Sequence, residues 1–156
     1  MCGIFGGVNV DFKEAKDCIN LIKRGEDGIT IKKINDKIVF ASRRHLVKKS
    51  GYEEDNKNLS DQPYFSKDKK IALIFNGEFF NFNDYKKDLE KKNVIFNSEG
   101  DTEVFLKLYE TKGINFLNDK KIDSLFAIAV KLGDASKFLP VAHKPAVETD
   151  PTPAAA

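Results

Sequence analysis

The opening residues, Met1-Cys2-Gly3-Ile4-Phe5-Gly6-Gly7-Val8-Asn9-Val10, decide how the rest of the chain is read. Residues 4–10 are apolar, β-branched and punctuated by glycine, the pattern of a buried strand. A chain that starts as core strand anchors its own terminus, so any chemistry on Cys2 is held in place.

Working outward, Ala15, Cys18, Ile19 and Ile22 recur at i, i+3, i+4 and i+7. That spacing predicts an amphipathic helix stopping near Arg24-Gly25. Strands over 29–34 and 37–41 flank Asn35-Asp36, a pair suited to a tight antiparallel turn. The polar stretch 48–61 reads as a solvated loop. A strand over 70–75 is expected to break at Asn76-Gly77-Glu78, and Phe82, Tyr85 and Leu89 mark a short helix face. A third helix is expected from Thr102 to about Thr111, with Asp101 as its N-cap and Gly113 as its end. A last strand covers 124–130. Beyond it glycine, prolines and a closing alanine triplet shift the composition, and residues 132–156 are expected to be disordered. Strands interleaved with three helices, without regular βαβ alternation, predict an α+β fold: an antiparallel β-sandwich flanked by helices.

At 156 residues the chain fits one domain with one core. Its 26 Lys and Arg against 24 Asp and Glu give a net charge of only +2, so bulk charge advertises no nucleic-acid partner. No apolar run approaches the ~20 residues that span a bilayer, and the start lacks the basic segment of a secretory signal. A cytoplasmic protein with no membrane partner is expected. Two cysteines and two histidines suit neither a disulfide framework nor a zinc site.

Removal of Met1 would leave Cys2 with a thiol and a free α-amine on one residue, and such an amine titrates near ~7.7–8.0 when unperturbed. An N-terminal amine can serve as the base that activates its own nucleophile. Taken alone, Cys2 reads equally as a small buried hydrophobe at a strand start. Arg43 and Arg44 offer planar guanidinium forks for a carboxylate, or form a solvated surface pair. Asn76-Gly77 offers donors for an oxyanion, or a type I′ turn. Asp101 is an ideal helix cap whose second oxygen is free for a ligand. His45, a lone histidine at a strand end, reads as structural.

Five stretches bear on the choice together. Met1-Cys2-Gly3-Ile4-Phe5-Gly6 at a chain start resembles the opening of class II glutamine amidotransferases, which are N-terminal nucleophile hydrolases. Arg24-Gly25-Glu26-Asp27-Gly28 is similar to that family's Arg-Gly-Pro-Asp segment, with Glu26 in place of proline. Ala41-Ser42-Arg43-Arg44 resembles the strand end whose arginine holds the α-carboxylate of glutamine; register favours Arg44, with Arg43 competing. Asn76-Gly77-Glu78-Phe79-Phe80-Asn81 resembles the asparagine synthetase segment in which the Asn side chain and Gly N–H form the oxyanion hole. Ser98-Glu99-Gly100-Asp101-Thr102-Glu103 is similar to the Ser-Asp-Thr-Glu stretch whose aspartate binds the α-ammonium, with Glu99-Gly100 inserted. Asp61-Gln62-Pro63 adds to the likeness to the asparagine synthetase branch.

The resemblance implies an αββα fold of the N-terminal nucleophile type, possessed of a glutaminase domain over 1–131, with 132–156 outside the family and the C-terminal end of the sandwich truncated. It implies Cys2, Asn76 and Gly77 as catalytic residues and Arg44, Glu78 and Asp101 as glutamine-binding residues. Cys2 would form a glutamyl thioester and release ammonia for an asparagine synthetase-like ligase reaction. No cofactor or metal is implied for that half-reaction. ATP and Mg belong to a synthetase domain or partner subunit that this sequence lacks. The alternative is an inactive, truncated amidotransferase-like binding or regulatory module.

Overall fold

The computed structural model describes residues 2–45, 62–133 and 138–143. Two antiparallel sheets and three α-helices make up these residues. The first sheet has the order β1-β3-β2, from β1 (Gly3–Val8), β2 (Gly28–Lys33) and β3 (Ile38–Arg44). The second has the order β4-β5-β6-β7, from β4 (Tyr64–Phe65), β5 (Ile71–Phe79), β6 (Ser124–Leu132) and β7 (Phe138–His143).

Helix α1 (Phe12–Leu21) lies against β1 and β3. Asp11 accepts from the Glu14 N–H while the Glu14 carboxylate accepts from the Asp11 N–H, a reciprocal cap that satisfies two otherwise orphaned donors. Ala15 and Ile19 bury the inner stripe, and Cys18 lies half-buried beside them. The β2–β3 hairpin forms as expected, its turn fixed by the Asn35 side chain accepting from the N–H groups of Lys37 and Ile38.

Alternation along each strand sorts the side chains between two apolar clusters. Ile38 and Phe40 of β3, with Ile4 of β1, meet Ala72 and Ile74 of β5 and Ala129 of β6. The opposite face of the second sheet, through Leu73, Phe75, Phe79, Phe126 and Ile128, packs on Leu89 of α2 (Phe82–Glu90) and on Val104, Phe105, Leu108 and Tyr109 of α3 (Asp101–Lys112). The Phe105 ring stands edge-on to both Phe116 and Phe126, with centroids 4.8 and 5.0 Å apart. No helix among the described residues is long and apolar enough to cross a membrane.

Three expectations change. β5 does not break at Asn76-Gly77 but runs on to Phe79, because Asn76, Gly77 and Glu78 pair with Ala127, Phe126 and Leu125 of β6. The N-cap of α3 is Gly100, and Asp101 is the first helical residue; its carboxylate bonds elsewhere. Disorder from residue 132 onward is corrected at 138–143, where β7 pairs with β6. A proline is tolerated there because β7 lies at a sheet edge, where Pro140 need supply no ladder N–H. Gly113 ends α3 as expected, at φ 61°, a left-handed value that favours glycine. The loop reading for 48–61 lies outside the described residues.

Candidate active site

Cys2 immediately precedes β1, which pairs Gly3 with Arg43, so it sits beside the C-terminal end of β3. There the His45 N–H donates to the Cys2 sulfur at 3.4 Å, and the thiol lies 3.9 Å from the His45 carbonyl. The sulfur is thus held by main chain of the residue that follows β3. The His45 imidazole meets the Asp27 carboxylate at 3.4 Å, on the segment leading into β2.

The two arginines separate by strand alternation. Arg43 shares the α1 face with Val39 and Ala41, and its guanidinium donates to the carbonyls of Ile22 at 2.9 Å and Gly25 at 3.2 Å. Those carbonyls end α1 and the turn after it, so Arg43 fastens this region to β3. The turn is close-packed: a Cβ on Gly25, whose φ is 82°, would stand 2.5 Å from the Arg43 carbonyl oxygen. Arg44 falls on the opposite face, in line with Phe40 and Ser42. A cavity of about 180 Å³ beside this strand end is bounded by Cys2, Thr30, Ser42, Gln62 and both Arg43 and Arg44.

The edge of β5 supplies the donors. Hydrogen-bonding direction alternates along an antiparallel strand, so Leu73, Phe75, Gly77 and Phe79 turn their N–H and C=O groups away from β6. Leu73 pairs with Tyr64 of β4. Phe75 is bonded through both groups to the Gln62 side chain, at 2.6 and 2.8 Å. The Phe79 N–H donates to the Asp101 carboxylate at 3.2 Å. Gly77 lies between these last two rungs, with its N–H directed to the same side, away from β6. Its lack of a side chain is enforced from behind, since a Cβ would lie 2.2 Å from the Leu125 carbonyl oxygen and 2.5 Å from the Phe126 Cα.

Asn76 and Glu78 follow the alternation of Ala72 and Ile74, toward the first sheet. The Asn76 Oδ1 is buried and has no hydrogen-bond partner among the described residues. A buried oxygen of this kind calls for a hydrogen-bond donor. The Ser42 hydroxyl donates to the Gln62 carbonyl at 3.3 Å and Gln62 grips Phe75, so the Arg44 strand and the Asn76 strand are joined at one level.

Burial raises the pKa of Asp101, and the nearby Glu78 charge raises it further, against the lowering effect of the Phe79 and Thr102 hydrogen bonds. Two carboxylates so placed favour a cation between them. The loop before Asp101 is held from two sides. The buried Glu103 carboxylate accepts from the N–H groups of Asn97 and Ser98 and from the Ser98 hydroxyl. The Lys86 ammonium, itself buried, bonds Glu99 at 2.6 Å. Ser98 and Glu103 therefore keep their mutual contact while Glu99-Gly100 bulges outward, which is how the two-residue insertion fits.

The structure thus gathers Cys2 and Arg44 around one cavity and lines Asn76, Gly77, Glu78 and Asp101 along or against the β5 edge. Sequence reasoning missed two neighbours. Gln62 carried a signal only as part of Asp61-Gln62-Pro63. His45 contributes through its main chain, which no residue type reveals.

Residues 1–139 match the family described as glutamine amidotransferase domain. The chain is similar to asparagine synthetase [glutamine-hydrolyzing] 2 of Bacillus subtilis, with 30% identity over 83% of this chain and 17% of the relative. A probable asparagine synthetase [glutamine-hydrolyzing] of Dictyostelium discoideum is 32% identical over 89% of this chain and 25% of its own length. Asparagine synthetase B of Escherichia coli is 27% identical over 89% and 24% respectively. The chain spans a quarter or less of each of these relatives. By the family match and the geometry together, it belongs to the class II glutamine amidotransferases, as a domain of the asparagine synthetase-like kind.

Proposed function

We propose that this domain hydrolyses glutamine through Cys2. With Met1 removed, the Cys2 amine takes the thiol proton as sulfur attacks the side-chain carboxamide carbon of glutamine. The Gly77 N–H and the Asn76 side-chain amide stabilise the resulting oxyanion. Collapse expels ammonia, which carries away the proton held by the amine, and leaves a glutamyl thioester. Water then attacks the thioester, giving glutamate and restoring the thiol. Arg44 grips the substrate α-carboxylate, and Asp101 with Glu78 receives the α-ammonium. The unpartnered Asn76 Oδ1 is satisfied when an N–H donor, from the amine of Cys2 or from the substrate, enters the site.

The observation that carries this reading is the β5 edge: an N–H at Gly77 directed away from β6, flanked by rungs that Gln62 and Asp101 occupy. A four-layer αββα arrangement accords with it, α1 covering one sheet, α2 and α3 the other, and the Phe40–Ile74 cluster lying between them. The ammonia is proposed to serve an asparagine synthetase-like ligase domain or subunit, which would also hold the ATP and Mg; the hydrolysis itself uses no cofactor. Cys2 and Cys18 are both free thiols, in keeping with a reducing cytoplasm.

The test is glutamate release by the chain with Met1 removed, beside Cys2→Ala, and labelling with a glutamine-like diazoketone. Adduct on Cys2 and turnover abolished in Cys2→Ala support the reading. A correctly trimmed, folded chain that neither labels nor releases glutamate would instead be an inactive amidotransferase-like module.

A further inference from the structure

Gln62 is absent from the catalytic scheme, yet it makes four contacts of consequence. Its side chain accepts from the Phe75 N–H at 2.6 Å and donates to the Phe75 carbonyl at 2.8 Å. Its own carbonyl accepts from Ser42 at 3.3 Å, and it borders the cavity beside Cys2 and Arg44.

The register explains why a side chain does this work. Tyr64 of β4 stands opposite Leu73 of β5, so an antiparallel continuation would set the main chain of residue 62 opposite Phe75. The carboxamide of Gln62 instead makes the two bonds that a paired peptide would make. A carboxamide reproduces both the acceptor and the donor of a peptide unit without depending on protonation. The main-chain carbonyl, released from the ladder, turns to Ser42 of β3. The next rung belongs to Gly77, whose N–H points to the same side of β5, away from β6.

We propose that Gln62 is a positioning residue for the oxyanion donors: it occupies the Phe75 rung of β5, fixes the height of the neighbouring Gly77 and Asn76, and ties that height to the Arg44 strand through Ser42. The inference rests on the glutaminase reading for its catalytic consequence and on geometry alone for its structural one.

The experiment compares the Met1-trimmed wild type with Gln62→Met, which has similar length and neither bond, and with Gln62→Glu, which retains only the acceptor. Amide exchange and the Gly77 amide resonance are followed together with glutamine kinetics. Expected for Gln62→Met are a roughly 100-fold faster Phe75 exchange, a displaced Gly77 resonance, and unchanged protection at Phe40. The accompanying fall in kcat is on the order of 10- to 100-fold, with KM within about twofold, as a misplaced oxyanion hole predicts. In Gln62→Glu the ratio of its kcat to that of wild type should rise as pH falls from about 8 to 5.5, because the protonated acid regains the donor for the Phe75 carbonyl. Gln62→Glu is the deciding variant if Gln62→Met does not fold. Unaltered Phe75 exchange, or a kcat within twofold of wild type in the folded variant, overturns the proposal. If the wild type itself releases no glutamate, the exchange data still decide the role of Gln62, and only the glutaminase reading falls.

Discussion

The main-chain N–H of His45 donates to the Cys2 sulfur across 3.4 Å, joining the residue after β3 to the residue before β1. The donor belongs to the backbone, whereas the imidazole turns to Asp27 in a half-exposed pair of the sort that contributes about 0–1 kcal/mol. His45→Ala should therefore alkylate at Cys2 and hydrolyse glutamine within about threefold of wild type. His45→Pro, which lacks the N–H, should lose roughly tenfold in the alkylation rate, the equivalent of one modest hydrogen bond to a charged group. Timed iodoacetamide labelling of Cys2 reads both.

Arg43 is bonded to the turn after α1 and Arg44 is the proposed carboxylate ligand, so their losses should differ. Arg43→Met removes a guanidinium bonded to two carbonyls and should cost about 1.5–3 kcal/mol of stability, with KM for glutamine little changed. Arg44→Met should raise that KM by about 10- to 150-fold, the same energy spent on substrate instead. Urea unfolding and glutaminase kinetics on the two variants make the comparison; the opposite pattern would reverse the assignment.

Asp101 combines a burdened carboxyl with a proposed ligand role. A carboxyl whose folded pKa lies above its unfolded value of ~3.9 binds its proton more tightly in the native state. Stability then falls as pH rises through the interval between the two values, and the penalty is present in full above the folded pKa. Asp101→Asn keeps an acceptor for the Phe79 N–H and sheds the charge. It should raise Tm at pH 7, with the gain shrinking as pH falls from the raised folded value toward ~3.9 and absent below that, while weakening glutamine binding by about 10- to 150-fold. A lowered Tm at pH 7 would contradict the sign.

Gly77→Ala tests why β5 carries glycine where the donor sits. The added methyl meets backbone of β6 at 2.2 and 2.5 Å, not a flexible side-chain end, so the strands must part. A loss of about 1–3 kcal/mol or more is expected, with faster amide exchange at Asn76 and Glu78. Retained stability and unchanged exchange would show that the ladder gives way without cost.

Glu103 is buried under donors alone, so Glu103→Gln would set an NH2 against N–H groups of the 97–98 loop. The expected cost is about 1–3 kcal/mol in thermal or urea unfolding, accompanied by a rise in KM as Asp101 loses its support.

Much of this was legible in the residues. The 3.6-residue stripe of Ala15 and Ile19, the Asn35 turn and the Gly113 stop are local matters, and each formed where its chemistry required. Asn76-Gly77 misled because the dipeptide carries a strong local turn signal, overridden here by pairing with a strand some fifty residues later in the chain. β7 was hidden by Pro140, which argues against a strand until the strand is known to be an edge. The residues 1–139 that match the family likewise run past the last strand the pattern revealed.

The sequence by itself determined the residue types, their order and therefore the family: a cysteine at position 2, an Arg pair, Asn-Gly-Glu and a late Asp. Tertiary structure alone decided which arginine fastens the turn after α1, which N–H groups of β5 point away from β6, and that Gln62 takes the Phe75 rung. Those facts depend on strand register and on alternation between neighbouring strands, and register is a relation between distant segments that no single segment encodes.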